Sequence, residues 1–201
     1  MKKFITSFSY IFHPILIPTM ATLLYLAYHK GDFITQEKLF ILFQVVIVTI
    51  VIPILVFVLL RASGNVETIM MAKISERKIP LVVHCFLIIL LVKKSITVDR
   101  YPELHFFFLG GLFSIMLAMI LLFGYFKASL HMIAISAMTV FIAGISIHLQ
   151  INSVFTVALL LLLNGIIASS RLEMKAHTNL ELVMGFFLGA IPQLLLIVLW
   201  L

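Results

Sequence analysis

SVFTVALLLLLNGIIA (residues 153–168), SSRLEMKAHTNLE (169–181) and LVMGFFLGAIPQLLLIVLWL (182–201) follow one another without a break. The outer two are apolar runs close to the roughly 20 helical residues that cross a bilayer. The middle one gathers Arg171, Glu173, Lys175, His177 and Glu181. A charge at mid-bilayer costs about 2.5–3.5 kcal/mol on insertion scales, so this cluster belongs at a membrane surface or on the wall of a wet cavity. Two apolar helices joined by a reactive-looking polar stretch define the pattern for the whole chain, an all-α polytopic membrane bundle.

The other residues agree. Of 201 residues 63% are hydrophobic and only 11% are charged, which leaves too little polar surface for a water-soluble domain. Seven apolar segments fall at about 9–28, 39–60, 79–96, 104–126, 131–149, 153–169 and 180–201, giving six or seven spans in a single domain over 1–201. They are too long for barrel strands and lack alternating polarity, so helices are expected. The third is the weak one, since its purely apolar part, residues 79–92, is short and Lys93 and Lys94 would snorkel to the far interface. Met1-Lys2-Lys3 imitates the start of a signal peptide, but His13, Pro14 and Pro18 interrupt its apolar run, so an uncleaved first span is expected. Seven crossings put residues 61–78, 127–131 and 170–181 on one face. That face carries nine of the basic residues against five opposite. Setting aside Lys73, Arg77, Lys78 and Arg171 as anion ligands leaves five against five, so charge alone leaves the orientation open. The net charge of +6 suits anionic headgroups or an anionic substrate rather than nucleic acid. Cys85 stands alone, so no intrachain disulfide is possible.

Each polar stretch carries chemistry with a plainer alternative beside it. His177 and Glu181 are four apart and share a helical face, where the carboxylate can fix one imidazole nitrogen and leave the other to attack. Glu173 is equally spaced from His177. Ser170-x-x-Glu173 and Thr178-x-x-Glu181 also match capping boxes, which would make both glutamates structural. Arg171 offers a planar fork for phosphate oxygens. Ser129 reads as an N-cap whose following amides would face an anion, with His131 as a general acid or merely an interfacial histidine. Lys73 and Arg77, four apart, would aim at one anion or form a basic patch on lipid headgroups. His13, His29, His84, His105 and His148 lack ligand spacing and read as interfacial or packing residues, with His84 and His148 each able to mark a polar pocket. No metal site and no cofactor are expected. Pro14, Pro18, Pro53 and Pro192 read as kinks, and Phe106–Phe108 as lipid-facing. Gly185-x3-Gly189 reads as a close-packing face, within the bundle or between protomers.

Taken together, Ser170-Arg171-x5-His177-x3-Glu181, Ser129-x-His131 upstream of it and the Lys73/Arg77/Pro80 patch before that resemble the type 2 phosphatidic acid phosphatase superfamily over about residues 73–181. That family carries Lys-x6-Arg-Pro, Pro-Ser-Gly-His and Ser-Arg-x5-His-x3-Asp in this order. Here Met70 stands in place of the first lysine, Pro80 follows Arg77 by three, Ala128 and Leu130 replace proline and glycine, and Glu181 replaces aspartate. The resemblance implies a metal-independent phosphatase of the bacterial inner membrane acting on a lipid phosphate or isoprenyl pyrophosphate. It assigns His177 as the nucleophile forming a phosphohistidine, Glu181 as its orienting acid and His131 as the leaving-group acid. Arg77, Arg171, Lys73, Ser129 and Ser170 would hold phosphate. The same departures favour, as the alternative, a catalytically lapsed relative serving as a lipid-binding or scaffold subunit, as a homodimer or within a membrane complex.

Overall fold

The computed structural model describes residues 2–68 and 73–201, the side chains of Lys2 and Lys3 aside. Met70, at the place of the first motif's lysine, lies outside the described residues. Regular structure among them is helical: α1 Lys2–Ile11, α2 Ile17–Tyr28, α3 Thr35–Ala62, α4 Ile74–Lys94, α5 Pro102–Phe123, α6 Leu130–His148, α7 Val154–Glu173 and α8 Asn179–Ile197. Five of them, α3 and α5 to α8, are long and apolar enough to cross a membrane.

The first and third expected segments come out differently. Residues 9–28 do not form one rod. The chain turns at 12–16, where Pro14 cannot continue the helical ladder, and α2 has only 12 residues. The third element starts earlier than expected, because α4 takes in Glu76, Arg77 and Lys78 and reaches 21 residues. Those charges keep it out of the five. Within α3, Pro53 cannot donate to the carbonyl four residues back, and the helix widens to a π turn at Ile47–Val51 just before it.

The axis of the bundle is α6. In its apolar stretch 67% of residues are buried, against 17% in α3, so α6 is wrapped by its neighbours while α3 turns most of its surface outward. Helices α2, α5, α7 and α8 all pack on α6, and the α6–α8 contact is the most extensive. Gly185 and Gly189 make that contact possible. A Cβ at Gly185 would lie 2.7 Å from the Ser129 carbonyl oxygen, and one at Gly189 would overlap the Ile133 carbonyl. The pair therefore works inside the bundle, where Ser136 Oγ also donates to the Phe186 carbonyl at 2.9 Å. Phe107 and Phe108 are core residues, contrary to the lipid-facing expectation. The face of α5 that carries them turns inward, and the Phe107 ring lies 4.6 Å from that of Phe141.

Candidate active site

Two helix ends and two helix starts meet at one end of the bundle. Helix α5 stops in a turn where the amide of Phe126 donates to Leu121 at 3.0 Å and Tyr125 adopts φ 57°. Helix α7 stops the same way, with the amide of Ala176 on the Arg171 carbonyl at 3.1 Å and Lys175 at φ 50°. Both left-handed positions are held by residues with a Cβ, at a cost of order 1 kcal/mol each. Each turn folds the chain sharply back and delivers it to the next helix, α6 or α8. The amide of Ser129 then donates to the Glu181 carbonyl at 3.1 Å, which ties the two helix starts side by side. Their positive dipole ends point to the same region, a setting that favours an anion.

Glu181 performs both of the jobs that its spacing allows. With Thr178 it completes a capping box, the Thr178 amide donating to its Oε2 at 2.9 Å. The same Oε2 accepts from His177 Nδ1 at 3.1 Å. A carboxylate only accepts, so Nδ1 carries the proton and Nε2 is the basic nitrogen of the neutral ring. Burial comes first, then the nearby Arg77, Arg171 and Lys127, and these hold the His177 pKa down to about 4 against the opposing pull of Glu181. The imidazole is therefore neutral at ordinary pH, as a nucleophile must be. Glu173, the rival by spacing, is exposed.

Cations surround this ring. Arg77 is 4% exposed and donates through Nη1 to the Ala128 carbonyl at 3.1 Å, pinning α4 to the start of α6. Arg171, 2% exposed, reaches Met174 Sδ at 3.7 Å. Burial, and then Arg77, lower the pKa of Lys127. Like charges brought this close are costly, and at Arg77 the carboxylates of Glu181 and Glu76 offset part of that cost. Arg77 and Arg171 also line a cleft of about 200 Å³. His13, His84 and His131 are its other polar groups, and Ile54, Phe57, Leu87, Phe107 and Ile115 give the remainder its apolar character. Leu130, in place of the family's glycine, is also part of its wall.

Helix α1 lies over one side of the site. The carbonyl of Ser9 accepts from His131 Nε2 at 3.0 Å, and Ser9 Oγ lies 2.6 Å from Ser170 Oγ. His13 packs edge-on against His131 with ring centres 5.3 Å apart. Ser129 caps α6, accepting from the Met132 amide at 3.5 Å.

Of the residues singled out from the sequence, His177, Glu181, His131, Arg77, Arg171, Ser129 and Ser170 meet at this end. Lys73 does not join them. It is exposed at the mouth of α4, where its ammonium pairs with the Glu67 carboxylate. Sequence reasoning missed Lys127, whose place two residues before Ser129 was the available signal, and Ser9 and His13, which carried none beyond the polar break in the first apolar segment. Among the described residues no group of three His, Cys, Asp or Glu side chains is arranged to hold a metal ion. The fold and site define an all-α membrane protein with a buried imidazole–carboxylate pair inside a ring of cations. No protein-family model, curated protein or solved structure matches the chain.

Proposed function

We propose that the protein is a phosphatase of membrane lipid phosphates or isoprenyl pyrophosphates that works through a phosphohistidine. The observation that carries this reading is the neutral His177, oriented by Glu181 and held close to Arg77, Arg171 and Lys127, with Arg77 and Arg171 also lining an apolar cleft. A phosphate headgroup would bring negative charge to these cations, and its hydrocarbon tail would fill the cleft. His177 Nε2 attacks phosphorus and the bond to the leaving oxygen breaks, with His131 in its imidazolium form giving that oxygen a proton. Water then attacks the phosphohistidine and passes a proton to the now neutral His131, inorganic phosphate leaves, and both rings return to their starting states. Arg77 and Arg171 neutralise the charge that builds on the equatorial oxygens. In this reading α2 and α4 complete a bundle of seven crossings in a bacterial inner membrane, with the site at the headgroup level of one leaflet.

A second reading rests on α1. Ser9 already accepts the proton of His131 and pairs with Ser170, and Leu130 crowds the cleft wall, as in a lapsed enzyme kept as a lipid-binding subunit. Phosphate release by the detergent-purified chain from phosphatidic acid, phosphatidylglycerol phosphate and an isoprenyl pyrophosphate separates the two. Release that is lost in His177→Ala and strongly reduced in His131→Ala supports the enzyme. Release that survives both substitutions removes the mechanism, and no release from any of the three favours the lipid-binding subunit.

A further inference from the structure

Helix α6 runs from His131 at the candidate active site to His148, about 25 Å along its axis. At that far end a second cluster has formed around one buried carboxylate. Glu103, 6% exposed in the first turn of α5, has its Oε1 3.4 Å from His148 Nε2 and 3.6 Å from His29 Nε2. Its Oε2 accepts from Tyr25 Oη at 3.3 Å. Trp200 stacks edge-on against His148, with ring centres 5.7 Å apart.

The protons in this cluster can be counted. His29 Nδ1 lies 2.9 Å from the Tyr25 carbonyl, which can only accept, so Nδ1 carries a hydrogen. If the ring were neutral, the Nε2 lone pair would then point at a carboxylate oxygen, and two acceptors would face each other in a buried site. Protonation of Nε2 turns that repulsion into an ion pair. His148 can meet the same oxygen as a neutral ring through its own Nε2 hydrogen. We propose that Tyr25, His29, Glu103 and His148 form a proton-binding site, in which one excess proton is held between His29 Nε2 and the Glu103 carboxylate. The proton comes from solvent and bonds to nitrogen, with no other bond made or broken.

The remaining charged neighbours do not undo this. Asp32, just after α2, adds negative charge near His29 and Tyr25. Lys38 of α3 donates to the His29 carbonyl at 3.3 Å, on the backbone side. Tyr101, before α5, is kept protonated by burial and by its hydrogen bond to Glu37, which push its pKa up to about 12. Burial opposes the charge on His29, yet Glu103 and the Tyr25 carbonyl outweigh it and raise its pKa above the ordinary histidine value. The bound proton ties the end of α2 to α5 and α6.

Nitrogen-15 NMR of the histidines in the full chain in detergent micelles tests the site. The second ring proton of His29 should titrate with a midpoint above about 6.5. Glu103→Gln should drop that midpoint below about 6.5, whereas His148→Gln should leave it above. Thermal stability of the wild type should fall as the pH rises through the His29 midpoint, and His29→Gln should lose that slope. A His29 midpoint at or below about 6.5, or one that ignores Glu103→Gln, overturns the proposal. Should Glu103→Gln fail to fold, the wild-type and His148→Gln spectra still decide it.

Discussion

His177 and His29 are both buried imidazoles beside a glutamate, and they are tuned in opposite directions. At the candidate active site Glu181 is outnumbered by Arg77, Arg171 and Lys127, and burial reinforces them, so the His177 pKa falls to about 4. At the far end Glu103 and the Tyr25 carbonyl outweigh burial, and the pKa of His29 rises. The partner residue type is the same in both places. The surrounding charge decides which protonation state the fold keeps, and hence whether the ring is neutral or a cation. The two ends also give opposite dependences of stability on pH. His177 stays neutral when folded, so its contribution is full above about 6.5 and is lost as the pH falls towards about 4. His29 contributes fully below the ordinary histidine value and loses its share as the pH rises through its raised pKa.

Four substitutions sharpen the contrast. Glu181→Gln keeps an oxygen for the cap but loses the carboxylate that fixes the His177 tautomer, and phosphate release should drop by about 100-fold or more. Gly189→Ala drives a methyl group into the Ile133 backbone. It should destabilise the bundle by about 1–3 kcal/mol, seen in thermal unfolding, while leaving the His29 titration unchanged. Thr178→Ala removes only the cap hydroxyl. It should cost about 1 kcal/mol with activity within a few-fold of wild type, which separates the structural job of Glu181 from its chemical one. Arg77→Gln takes away the cation that lowers the His177 pKa most, so that pKa should rise towards 6.5 in the same NMR titration and narrow the acid window of instability. A His177 midpoint unmoved by Arg77→Gln would break the contrast, because burial alone would then account for it.

The sequence made the site more legible than the helix count. Charges are so costly in hydrocarbon that Arg171, His177 and Glu181 announce a surface or cavity wherever they fall, and their spacing already contained the Glu181 contact. Whether that glutamate capped or oriented was undecidable from spacing, and the structure lets one carboxylate do both. The break at residues 12–16 was written in His13, Pro14 and Pro18, yet hydropathy averaged across it and suggested a single rod. Lys73 illustrates the limit of spacing, since four-residue periodicity puts it near Arg77 only within a helix, and α4 begins one residue later. The Glu103 cluster was the least legible. Tyr25, His29, Glu103 and His148 lie in or beside three separate apolar segments, and of the four only His29 and His148 were singled out, as interfacial or packing residues, His148 also as a candidate pocket marker.

The most direct test of the account is to look for the covalent intermediate. The purified chain is mixed with phosphatidic acid or an isoprenyl pyrophosphate, quenched in alkali, where phosphohistidine survives, and mapped by mass spectrometry. The account predicts a phosphoryl group on His177, absent from His177→Ala and depleted in Glu181→Gln. Phosphate released without any modification of His177, or a phosphoryl group on a different residue, would contradict it.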